Sequence, residues 1–87
     1  MKIKNIYYSS HFAKAFGKLP VEIKKQAIEK EKLFRADCFD KKLKTHKLKG
    51  QLANYWTFSI NHSYIILFEF TEDNSIGLID IGTHSIY

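Results

Sequence analysis

Tyr55-Trp56-Thr57-Phe58-Ser59-Ile60-Asn61-His62-Ser63-Tyr64-Ile65-Ile66-Leu67-Phe68-Glu69-Phe70 is the stretch that decides how this chain folds. Trp56, Phe58 and Ile60 alternate with Tyr55, Thr57, Ser59 and Asn61. That two-residue period belongs to a strand with one face turned to a core. Asn61 and His62 interrupt it at a tight turn, with His62 read as the turn's cap. Tyr64, Ile66, Phe68 and Phe70 then alternate with Ser63, Ile65, Leu67 and Glu69 in a second strand. The acidic-polar run Thr71–Ser75 makes a second turn, and Ile76–Ile81 a third strand, so this half reads as an antiparallel meander.

The first half has a different period. Ile3, Ile6, Tyr7 and Tyr8 are β-formers and predict a short opening strand. Ser9 and Ser10 supply N-cap hydroxyls for a short helix, on which Phe12 and Phe16 share one side. His11 is a surface residue at its start. Gly17 and Pro20 end that helix, and Pro20 suits the start of the next. Ile23, Ala27 and Phe34 return to one side of a second helix, expected from about Val21 to Phe34 or slightly beyond. Between Asp40 and Gln51 no period survives; Leu43 and Leu48 are the anchors of an irregular, partly extended connection. The fold class is α+β: one small domain, 1–87, in the order β-α-α-β-β-β, with an N-terminal helical hairpin packed on an antiparallel-rich sheet.

Hydrophobic residues make up 45% of the chain and aromatics 15%, enough for a core without disulfides. Cys38, the single cysteine, has no internal partner, which fits a reducing compartment. No apolar run reaches signal-peptide or membrane-spanning character, so a cytoplasmic protein is expected, with no membrane partner. The formal net charge is +5, carried almost wholly by lysine, since Arg35 is the only arginine. Lys41, Lys42, Lys44, Lys47 and Lys49 fall in a stretch from 41 to 68 that holds no acidic residue. Charge alone fits a polyanion, an acidic protein or simple solvation.

His46-Lys47-Leu48-Lys49-Gly50, followed by Tyr55-Trp56-Thr57-Phe58-Ser59-Ile60, resembles a stretch of RelE-like toxins of the form H-x-L-x-G … Y-W-x-x-x-I. Ser63-Tyr64-Ile65-Ile66-Leu67-Phe68 is similar to the strand that follows in them, and Ile81-Gly82-Thr83-His84 to their closing G-T-H segment. The resemblance spans essentially the whole chain and is to the RelE/ParE superfamily, with its RelE/YafQ-like branch the nearer. It implies the toxin of a type II toxin–antitoxin pair: an endonuclease that enters the ribosomal A site of the 70S ribosome and cuts mRNA there. No metal and no cofactor are implied, because the RNA 2′-hydroxyl attacks the adjacent phosphate. It further implies a cognate antitoxin as protein partner.

Such chemistry needs a base, an acid and cations for the extra negative charge. The resemblance points to His46, His84, Tyr87 and Lys49 as catalytic candidates, and to Lys41, Lys42, Lys44, Lys47 and Tyr55 as RNA-binding ones. Imidazoles exchange protons near neutral pH, ammonium groups hold phosphate, and a tyrosine stacks on a base or donates a proton. The chain departs from the pattern at Ile65, where many relatives carry arginine. A branch using histidines and lysines, a weakened toxin, and a change made to disarm a lethal protein all stay open. So do two other functions: a ParE-like, non-enzymatic inhibitor of DNA gyrase, and an RNA-binding module that does not cleave.

Overall fold

Ser9 begins the first helix and fastens it to the sheet. In the computed structural model, which describes residues 1–87, its hydroxyl accepts the Phe12 N–H at 2.9 Å and donates to the Ile79 carbonyl at 3.0 Å. This cap satisfies one of the orphan donors of a helix start. Strand β1 (Ile6–Tyr8) precedes it, and helices α1 (Ser10–Gly17) and α2 (Val21–Ala36) follow. Pro20 stands one residue before α2, where its missing N–H costs nothing. Glu22 in the first turn of α2 and Arg35 in the last both suit the helix dipole.

Strands β2 (His46–Lys47), β3 (Trp56–Ser59), β4 (Tyr64–Phe70) and β5 (Ile76–Thr83) complete the chain with three short 3₁₀ turns, at Lys41–Leu43, Gly50–Leu52 and His84–Ile86. The five strands lie in the order β1-β5-β4-β3-β2. All pairs are antiparallel except β1 with β5, which is parallel. The expected order therefore holds, with one addition: β2 arises inside the lysine-rich connection. Its two residues have no strand period of their own; the open edge of β3 supplies the pairing.

Ala27 and Phe34 of α2 and Phe12 of α1 enter a core with Phe58, Ile60, Ile66, Phe68, Ile76, Leu78 and Ile81. Phe34 stacks on Phe58 with centroids 4.3 Å apart and meets Phe68 edge-on at 4.9 Å. Trp56 sits at the rim of this core, edge-on to Phe39 and Phe70 at 5.7 and 5.2 Å. Between β4 and β5 the register shifts, so that Leu67 faces Asp80 whereas Phe68 faces Leu78. Ile79 is the extra residue, and its carbonyl is the one Ser9 takes.

At the β3–β4 turn Asn61, not His62, does the capping. The Asn61 carboxamide oxygen accepts the N–H groups of Ser63 and Tyr64 at 2.8 and 2.9 Å, while its nitrogen donates to Gln26 of α2 at 2.6 Å. An asparagine carries acceptor and donors on one short, planar group, so it serves both sides of the turn. Tyr8 ties β1 to α2 by donating to Glu31 at 2.6 Å, and Arg35 closes the cluster. Burial, reinforced by Glu31, holds the Tyr8 phenol above its ordinary pKa.

Candidate functional site

The side of the sheet turned away from the helices carries the residues left over by the core alternation. Cross-strand pairing puts His46, Thr57, Leu67 and Asp80 in one row, and Ser59, Ile65 and Gly82 in the next. Thr57 and Ile65 are each 1% exposed, so this open face is sealed at its centre. Part of the seal is the closing 3₁₀ turn. A Cβ placed on Gly82 would lie 2.7 Å from Ile86 Cγ2, which means that Ile86 occupies the space a side chain at 82 would take, next to Ile65 in the register.

The lysine-rich segment is pinned rather than loose. Leu43 is fully buried, Asp40 accepts the Lys42 N–H at 2.9 Å, and the Thr45 hydroxyl donates to the Cys38 carbonyl at 2.5 Å. Lys44 takes the left-handed conformation, φ 52°, which costs a non-glycine residue roughly 1–2 kcal/mol. That conformation presents its carbonyl to His46, whose Nδ1 donates to it at 3.0 Å. A carbonyl can only accept, so Nδ1 carries a proton, and in the neutral ring the lone pair lies on Nε2. Nε2 lies 3.4 Å from the Thr57 hydroxyl and the ring is exposed. The result is an imidazole held in one orientation, whose neutral form carries its basic nitrogen at Nε2.

His84 begins the closing turn. Its Nδ1 lies 3.4 Å from the Tyr87 hydroxyl, and the two rings are 6.2 Å apart at their centroids. His84 and Tyr87 are thus neighbours, whereas His46 is not beside them. β3 and β4 separate β2 from β5, three spacings of about 4.8 Å, or roughly 14 Å across the sheet. Both histidines border the open face from opposite margins.

Lys41, Lys42, Lys44, Lys47 and Lys49 are all exposed, and none has a carboxylate within ion-pair distance. Lys47 pairs in register with Trp56, at the rim of the aromatic cluster, and Lys49 precedes the turn at Gly50. Tyr55 is half-buried, with its carbonyl accepting the Leu48 N–H at 3.0 Å. Ile65 occupies the middle of the sheet with no cation in its row. His11 faces Asp80 at 3.1 Å, and burial pushes the Cys38 thiol up, away from nucleophilic use. Thr57, the partner of His46, was not a candidate from sequence. In the alternation it differs in no way from Ser59, and only the pairing of β2 with β3 reveals it.

No protein-family model matches the chain, and no curated protein matches it by sequence. Solved structures do match its fold. A YoeB/ParE toxin from Agrobacterium tumefaciens superposes with a TM-score of 0.79 at 13% identity, over 93% of this chain and 99% of its own. The YoeB dimer structure from Staphylococcus aureus gives 0.72 at 23% identity, over 97% and 99%. The archaeal RelE–RelB complex from Pyrococcus horikoshii gives 0.74 at 14% identity, over 100% of both chains. The fold of this chain is that of the RelE/ParE toxins.

Proposed function

We propose that residues 1–87 act as one domain, the toxin of a type II toxin–antitoxin pair, and cut mRNA in the A site of the 70S ribosome in the cytoplasm. The observation that carries this reading is His46: an exposed imidazole fixed at Nδ1, with Nε2 beside the Thr57 hydroxyl on the open face, in a segment whose five lysines have no carboxylate partner. His46 removes the proton of a ribose 2′-hydroxyl, whose oxygen then bonds to the adjacent phosphorus. The P–O5′ bond breaks, and His84, beside Tyr87, returns a proton to the leaving oxygen. Cyclic phosphate and a 5′-hydroxyl are left, with no other reactant needed. Lys47 and Lys49 offset the extra negative charge. The roughly 14 Å between strands is spanned only if both imidazoles lean over a bound nucleotide, so each histidine is tested separately.

Protein added to a translating reaction is expected to cut message within codons. His46→Ala and His84→Ala should each slow cleavage by about 10²–10⁴-fold, the usual worth of a general acid or base. Message left intact by both this sequence and an Ile65→Arg variant verified to be folded would overturn the proposal. The buried Ile65 favours one other reading, a ParE-like inhibitor that binds DNA gyrase without cutting RNA, and a supercoiling assay tests it. Under either reading the protein partner is an antitoxin. The positive surface would speed its approach, and the free edge of β1 and the apolar groove at Tyr8, Phe12, Ala13 and Phe16 suit an added strand or helix.

A further inference from the structure

α2, the Lys41–Leu43 turn and the β3–β4 hairpin tip enclose a cleft of about 270 Å³ that neither His46 nor His84 lines, with the Lys44 carbonyl on its wall holding the His46 ring. Lys30, Lys42 and Lys44 line it with Ser59, Asn61 and His62, and no carboxylate does. The lysines come from two separate segments, so their convergence is a product of the fold. Lys25 and Lys32 on the same helix each have a glutamate three residues before them, at 3.7 Å. Lys30 has none: its neighbours one turn away are Gln26, Ala27, Leu33 and Phe34. The nearby Asp40 directs Oδ1 to the backbone of Lys42 rather than to an ammonium group.

The cleft is also held in shape. The 2.6 Å bond from Asn61 to Gln26 clamps the hairpin tip to α2 one turn before Lys30. The left-handed Lys44 fixes the opposite wall. Three like charges held around one concavity repel until an anion enters, and a cleft this size admits a phosphate group with several waters.

We propose that this cleft is a phosphate seat that grips the RNA backbone at a point apart from the reacting nucleotide. Inorganic phosphate shares the chemistry; the assignment to RNA rests on the function proposed above. The seat would hold the strand beside β2 while the His46 and His84 margins engage the next stretch. It would bind the backbone and read no base, because contacts to phosphate oxygens carry no sequence information.

The test is an amide NMR titration with inorganic phosphate and, separately, with a short 2′-O-methyl oligoribonucleotide that cannot be cleaved. The oligonucleotide is expected to shift Lys30, Ser59, Asn61 and His62 saturably, together with His46. The variant K30Q, whose dispersed spectrum verifies its fold, should lose the first set of shifts and keep those at His46. Its binding should weaken about tenfold, and the slope of log affinity against log salt should fall by roughly 0.7 for each phosphate no longer neutralised. Oligonucleotide that binds at His46 without moving the cleft residues overturns the seat. So does a K30Q variant with unchanged affinity and slope. Saturable phosphate binding in the cleft with no oligonucleotide binding anywhere overturns the assignment to RNA and the proposed function together, and leaves an anion site.

Discussion

On the helix side of the sheet, Phe58, Ile66 and Phe68 meet Phe34 and Phe12, and the packing is wholly apolar. On the other side Thr57, Ser59, Ile65 and Gly82 make a surface of small or β-branched groups, roofed in part by a short turn. The first face is deep and ring-filled, and the fold depends on it. The second is thin, and it leaves His46, His84 and the lysines in solvent, where the proposed chemistry needs them. Stability and proposed activity are therefore carried by different residues of the same strands.

Phe34→Ala should give the largest effect. It deletes the ring between Phe58 and Phe68 and is expected to cost about 3–5 kcal/mol, enough to leave much of the chain unfolded in a denaturant titration. Thr57→Val on the opposite face should cost far less stability and act instead on His46. If it destabilised the chain as much as Phe34→Ala, the division between faces would be wrong.

Ile65→Arg probes the thin face. A guanidinium at a site 1% exposed has no partner there, so the substitution should cost a few kcal/mol while Ile86 covers Gly82. Adding Ile86→Ala should recover part of that stability by letting the turn lift, a non-additive result measurable in a double-mutant cycle. Strict additivity would mean that Ile86 does not shield position 65.

The smallest effect lies at the edge. Tyr8 holds its proton more tightly in the folded chain than the unfolded value near 10.0. Its contribution is therefore complete below about pH 10 and fades as pH rises through the higher folded value. Tyr8→Phe should remove that alkaline component from a stability-against-pH curve. An unchanged alkaline slope would assign it elsewhere, to Cys38 among others.

Much of this was legible in the residues. The alternation through Trp56–Phe70, the helical return of Ala27 and Phe34, and the Ser9 cap are local patterns set by periods of two and of about 3.6. What was not legible depends on partners distant in sequence. β2 exists because β3 has a free edge, and the cleft exists because α2 lies across the hairpin. Asn61 outranks His62 as the cap because Gln26 waits on the helix. The candidate histidines were recognisable by type and setting, but their separation is a matter of strand order, which no local pattern encodes.

The parallel pairing of β1 with β5 has a consequence for how the protein is made. Ile6 finds its partner Ile76 seventy residues later, so the sheet cannot close until Ile76 has been synthesised. At translation speeds of roughly 5–20 residues per second, that wait is about 4–14 s. Throughout it the aromatic residues of the opening strand and first helix have no sheet to cover them. Yield of folded protein should therefore respond to elongation rate and chaperone supply more sharply than its equilibrium stability would suggest.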